Sequence, residues 1–378
     1  MRSAALSVPG RAPSAWAARP AARTAARPDV ATALWLQRSV GNRRTCAVLR
    51  KVRAAHPAPM RARRGEFAQI TNAYTSGGLD QQAWKTAVDD AKTALDAGKV
   101  DEAIALYTKL YQDLARTAGA AGLKDVGGAL AVNVAQADNK GYAPGLNLVL
   151  AKGGGKGGTT AFVDDTGKFA VRLDAKATPP RVAIRLFSDS FAADKARSLG
   201  LLRHEMLHAY HHEQALAARA PSAVDKILVS EIKGAGRSNS ELLAYVEGFM
   251  TTFHLLPAPQ PNDAVFLELL GALDTGSVEP WNNADADVRD EGLGRLREYY
   301  CNTLDTAHRD AFDAWVATQV AQVAKDADAL KANQDKPAIA KARRHVELMF
   351  EHFVLGLKEV GGGKCSARAK PRRAGQRS

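Results

Sequence analysis

The segment Arg203-His204-Glu205-Met206-Leu207-His208-Ala209-Tyr210-His211-His212 holds four of the chain's nine histidines. Within it, His204-Glu205-x-x-His208 is an HExxH pattern. On an α-helix, side chains at i and i+4 lie on one face, so both imidazoles reach a single metal ion. The intervening glutamate sits one step from the first ligand, where it takes a proton from water activated by that metal. Two neutral imidazoles suit zinc, and the pattern predicts a Zn²⁺ site on a helix. That helix runs from Ala192 to about residue 218, with Leu201, Leu202, Met206 and Leu207 available to pack against a sheet.

Upstream of the motif the pattern is β-rich. Ala129–Val134, Leu146–Leu150, Thr160–Val163, Phe169–Leu173 and Val182–Leu186 are short apolar runs parted by Gly, Asp and Pro, the form of an antiparallel or mixed sheet. Gly153–Gly158 does not make a phosphate loop, because Gly157 follows Lys156 where Ser or Thr is required; a hairpin loop is the expectation. From Ala192 to Val360 the periodicity is almost wholly helical. Pro337 fits a first helical turn, with Ile339, Val346, Phe350 and Phe353 as the apolar stripe. The expected fold class is α+β, a small sheet followed by a helical subdomain.

A sheet, an HExxH helix and further helices in that order resemble the zincin metallopeptidases, over residues 121–363. The metzincin extension is absent, since His211 stands where a glycine is needed and Gln214 where a third histidine is needed. Glu213 shares the motif helix and cannot wrap round to the metal. The resemblance therefore implies a gluzincin arrangement, with the third ligand a glutamate on a later helix. Glu241 ranks first: it follows Ser238-Asn239-Ser240, which offers N-cap chemistry, and opens a clear helix. Ala244 and Gly248 make that helix thin, so its backbone can approach the motif helix, as in the ExxA helices of several gluzincins. Glu247 and Glu231 remain alternatives, Glu231 weakened by Gly234 and Gly236 just beyond it.

The reaction this implies is zinc-dependent peptide hydrolysis. Zn²⁺ on His204, His208 and Glu241 keeps a position open for water, and Glu205 takes that water's proton and passes it to the leaving amine. Tyr245 is the first candidate for stabilising the oxyanion, with Tyr210, His211 and His212 as alternatives and a purely structural tyrosine equally open. A peptide or protein substrate added as a strand at the sheet edge suits such a site, with Val182–Leu186 the candidate edge. The alternative function is a catalytically silent zinc-binding or carrier protein.

Further outward lie a helical hairpin and two arms. Ala83, Ala87, Ala91 and Leu95, then Ala103, Leu106, Leu110 and Leu114, repeat at helical spacing around Gly98, which places a hairpin in 66–120. Its "AGKVDEAIALY" resembles one tetratricopeptide unit, but a lone unit builds no solenoid. Residues 1–65 carry 14 Lys or Arg and one acid, and residues 364–378 carry six and none, so both ends read as disordered basic arms. The intervening 298 residues hold 32 bases and 39 acids, a net charge of −7 against +12 for the whole chain.

Within the first arm, Leu36-Gln37-Arg38-Ser39-Val40-Gly41-Asn42 resembles the LQRxxGN tag of actinobacterial proteins linked to extracellular contractile injection systems. Arg44 and Thr45 depart from the tag's usual Ala-Val. The resemblance implies an exported effector whose partner is an injection particle or secretion machinery, and it says nothing of catalysis. The two arms offer few aromatics for stacking and no recognition-helix spacing, which excludes specific nucleic-acid binding. No run reaches the roughly 18–20 apolar residues of a membrane span, and no secretory h-region is present, so the protein is expected to be cytoplasmic as made. Cys46, Cys301 and Cys365 are odd in number and widely spaced, which argues against disulfides and for a reducing compartment.

Overall fold

The computed structural model describes residues 60–120, 132–135, 140–150, 157–170, 181–218, 220, 222–234, 237–273, 278–331, 352–361 and 365. Residues 1–59 of the arm, with the tag at 36–42, the Pro337 helix start and all of the basic tail except Cys365 lie outside these residues, and 60–65 are helical where a disordered arm was expected.

Three helices come first: α1 (Met60–Thr75), α2 (Gln81–Asp96) and α3 (Val100–Ala120). The first begins six residues before the expected domain boundary. The second and third form the expected hairpin. Asp80 caps α2 by accepting from the Ala83 amide at 2.7 Å, and Gly98 takes the left-handed φ of +75° that the tight turn demands. Five strands follow: β1 (Val132–Ala135), β2 (Gly145–Val149), β3 (Gly158–Val163), β4 (Phe169–Ala170) and β5 (Arg181–Phe187). Their order in the sheet is β1-β2-β5-β3-β4; the first two pairings are parallel and the last two antiparallel.

This order corrects two expectations. Strand β5 pairs with β2 on one side and β3 on the other, so Val182–Leu186 is a central strand and offers no edge to a substrate. Likewise β2 and β3 are not neighbours, because β5 inserts between them, and the glycine-rich segment between them closes no hairpin. Sequence patterning marks where strands are, but a strand arriving later in the chain decides which of them sit at the edge.

The helical part comprises α4 (Lys195–Leu216), α5 (Ala223–Lys233), α6 (Ser238–His254), α7 (Val265–Gly271), α8 (Pro280–Asn283), α9 (Ala286–Asn302) and α10 (Thr306–Lys331), and a further helix spans 352–361. The fold class is thus α+β with a mixed sheet. Alternation along β5 sends Val182, Ile184 and Leu186 into the main core beneath α4, and Ala183 into a smaller cluster on the other face. An aromatic run, Phe249–Phe253–Phe266–Trp315, with centroids 5.2, 5.3 and 4.6 Å apart, ties α6, α7 and α10 together.

The hairpin belongs to the same core. Trp84, Tyr107 and Tyr111 bury against Phe191, just ahead of α4. Lys195 at the start of α4, 1% exposed, donates to the Leu79 carbonyl at 2.8 Å and pairs with Asp113 of α3 at 2.7 Å. Trp84 Nε1 donates to the Ala192 carbonyl at 3.0 Å, so the hairpin holds the entry to the HExxH helix on two sides.

Cys301, at the end of α9, is joined to Cys365 by a disulfide across 64 residues. This overturns the expectation of free cysteines; with Cys46 as the odd one, neither the count nor the spacing exposes a pair so far apart. The cysteines therefore no longer argue for a reducing compartment, since such bonds form and persist in oxidising surroundings. No helix among the described residues is long and apolar enough to cross a membrane.

Candidate metal centre

Helix α4 carries the motif. Asp194 is its N-cap and accepts from the Ala196 amide at 2.8 Å, three residues into the expected helix. His204 and His208 fall on the face turned to α6, and the two helices touch there backbone to backbone. A Cβ on Gly200 would stand 2.9 Å from the Gly248 carbonyl and overlap the Thr252 hydroxyl. A Cβ on Gly248 would stand 3.1 Å from the Gly200 carbonyl and 3.5 Å from His204 Cβ. The thinness read from Ala244 and Gly248 is thus half of the contact, and Gly200, one turn before His204, supplies the other half.

That crossing brings Glu241 to the two histidines. His204 Nε2 and His208 Nε2 are 3.2 Å apart, and Glu241 Oε2 lies 3.3 Å from the first and 3.6 Å from the second. Nitrogen and oxygen ligands at zinc distances and tetrahedral angles stand about 3.4 Å from one another. The triangle therefore has the edge lengths of one face of such a tetrahedron. It is the one group of three potential ligands within 4.8 Å of each other among the described residues.

The electrostatics agree. Burial works to raise the Glu241 carboxyl, but the adjacent His208 and His204 outweigh it and hold it well below the usual carboxylate range. Burial works to lower His208, and Glu241 outweighs it in turn, so this imidazole is raised above its ordinary value. The Glu241 carboxylate thus sets negative charge beside the His208 imidazole.

The rival glutamates have other partners. Glu231, at the end of α5, accepts from the Asn239 amide at 2.9 Å and the Ser240 amide at 2.8 Å. It caps α6 from outside, and Arg237 in the N-cap position makes no side-chain capping bond, so the Ser-Asn-Ser segment is not its own cap. Glu247, 2% exposed, binds Arg295 at 2.8 Å and Arg203 at 3.4 Å, and Arg203 also pairs with Glu66 of α1. Neither stands in the group with His204 and His208; one starts the Glu241 helix and the other locks it to its neighbours. Sequence reading missed these roles because Arg295 lies 48 residues beyond Glu247.

Glu205, 4% exposed, lies against β3, where the Thr160 hydroxyl is 2.9 Å from both its carbonyl and its Oε2. Tyr245 stands edge-on to the His204 ring, centroids 4.7 Å apart, and packs so closely on Gly271 that a Cβ there would overlap its ring. Burial, then Glu241 and Glu205, push its phenol well above the ordinary value, so it stays protonated. Tyr210 is 40% exposed and contacts His211, 5.3 Å between centroids. His211 and His212 are buried; desolvation lowers them to about 3 and about 4, and His212 Nδ1 donates to the His208 carbonyl at 2.7 Å.

Compared with known proteins, the chain matches no protein family, no curated protein and no solved structure.

Proposed function

We propose that this chain is a zinc-dependent metallopeptidase of zincin-like, gluzincin type. The observation that carries the reading is the convergence of His204, His208 and Glu241 with Glu205 on the adjacent face of the same helix. Two imidazoles and one carboxylate are the donor set of hydrolytic zinc sites that keep a fourth position open. A zinc ion there supplies Lewis acidity, activating water and polarising the scissile carbonyl.

The chain's own residues do the rest. Glu205 is the base: its carboxylate takes the proton that the attacking water gives up and delivers it to the departing amine nitrogen. Tyr245, protonated and packed against His204, is the donor for the negative charge that develops on the carbonyl oxygen. Glu231 and the Arg203–Glu247–Arg295 bridge fix the Glu241 helix, so the ligands are preorganised. The Cys301–Cys365 disulfide supports export to an oxidising environment, in keeping with an effector loaded through its N-terminal tag.

The test is Glu205→Gln. It keeps all three ligands, so zinc content stays at the wild-type value while peptide cleavage falls about 10²- to 10⁴-fold. A Gln variant as active as wild type overturns the mechanism. A zinc-loaded wild type that cleaves nothing in a diverse peptide library favours the silent binding protein instead.

A further inference from the structure

The HExxH chemistry needs Glu205 in one orientation, and the motif helix alone does not supply it. Three bonds separate a glutamate carboxylate from its backbone, and each is free to rotate unless something stops it. Strand β3 stops it. Gly158 and Thr160 are two residues apart and so face the same side of the sheet, the side under α4. A Cβ on Gly158 would come within 2.5 Å of Glu205 Cγ and 2.7 Å of Oε1, so the glutamate stem lies where any other residue would put a side chain. Thr160, 7% exposed, places its hydroxyl oxygen, with one proton to donate, 2.9 Å from both the carbonyl and Oε2 of Glu205. One hydroxyl thus spans the backbone and the carboxylate of the same residue.

The seat is rigid. Gly158 and Thr160 are in register with Leu186 and Ile184 of β5, a central strand. Just before them, Ser190 Oγ accepts from the Gly157 amide at 2.7 Å and donates to its carbonyl at 2.5 Å.

We propose that Thr160 is a positioning residue that, with the side-chain-free Gly158, aims the Glu205 carboxylate for proton transfer. This rests on the peptidase reading above. Thr160 touches neither substrate nor metal ligand in this role; it acts through Glu205.

The experiment compares Thr160→Val, which keeps the shape and removes the hydroxyl, with Thr160→Ser, which keeps the hydroxyl. In the full-length protein, Thr160→Val lowers kcat about 10- to 100-fold, the worth of a hydrogen bond to a charged group. KM and zinc content stay at wild-type values, and Thr160→Ser recovers kcat to within a few-fold. A Val variant with wild-type kcat, or one whose loss is entirely in KM or zinc content, overturns the proposal. If Thr160→Val does not fold, Gly158→Ala takes its place: it retains the hydroxyl, displaces the carboxylate and loses kcat with zinc retained. Wild-type kcat in Gly158→Ala overturns the proposal too.

A second readout needs no activity. The fall in melting temperature caused by Thr160→Val is smaller in a Glu205→Leu background than in wild type, because the carboxylate partner is already gone. Equal falls in both backgrounds refute the seat. A smaller fall together with a wild type that cleaves no peptide refutes the peptidase reading, and with it the positioning role, while leaving the contact intact.

Discussion

Glu231, Glu241 and Glu247 carry the same carboxylate, and each is set apart by what it meets: two amides, two imidazoles or two guanidinium groups. Their replacement should fail in different ways. Glu231→Ala removes an external helix cap, with a stability cost of about 1–2 kcal/mol and zinc retained. Glu247→Ala takes a shared, buried carboxylate from Arg203 and Arg295, leaving each one partner, Glu66 and Glu291, and should cost about 1–3 kcal/mol. Thermal unfolding with zinc analysis on each variant checks this; loss of zinc from a folded Glu231→Ala protein would reassign the third ligand. At this scale the sequence is partly legible. HExxH is readable because the i, i+4 face is a property of any helix, and Glu241 because a small-residue helix starts with it. The caps and clamps are not readable, since their partners arrive from other helices.

Among the elements, the crossing of α4 and α6 is the structural core of the site. Gly200→Ala puts a methyl group into the Gly248 carbonyl and the Thr252 hydroxyl, so the helices must separate. We expect a loss of about 1–3 kcal/mol from overpacking, and weaker zinc binding because His204 sits about one turn from the contact on α4 and Glu241 about two turns from it on α6. Zinc titration of the variant, with affinity equal to wild type as the contrary outcome, decides it.

Helix α1 is fastened through His254, whose Nε2 is 2.9 Å from Thr71 Oγ1 and whose ring packs on Phe67 and Tyr299. Burial, then His308, lowers His254 from 6.5 to about 4. The unfolded chain therefore takes up this proton at a higher pH than the folded one. Its contribution to stability is full above pH 6.5, declines as pH falls, and is gone below about 4. Hydrogen exchange should show α1 losing protection over that window, and a profile flat from pH 7 to 4 would contradict the assignment.

The sheet shows where sequence reading stops at this scale. All five strands were predictable from short apolar runs and the Gly, Asp and Pro between them, but their order was not. It depends on β5 crossing back between β2 and β3.

Over the whole molecule, the main core draws on helices from α1 to the one over 352–361, and the hairpin that reads as a preface is built into it through Trp84, Tyr111 and the buried Lys195–Asp113 pair. The Cys301–Cys365 bond ties the end of α9 to the chain beyond the helix over 352–361. Closing so long a loop is worth about 2–5 kcal/mol. Cys301→Ser, or a reductant, should lower the melting temperature accordingly, and an unchanged melting temperature would mean that the bond does not form in solution. Charge belongs to this scale too: the net +12 lies in the two ends, while residues 66–363 are net acidic.

The central claim is that α4 and α6 together make a three-ligand metal centre. It is tested most directly by elemental analysis of purified full-length protein from zinc-replete medium, alongside Glu241→Ala. About one zinc per wild-type chain is expected. The variant should lose affinity beyond the roughly 10- to 100-fold that removing a supporting partner costs. Metal-free wild type, or a Glu241→Ala protein that holds zinc as tightly as wild type, would contradict it.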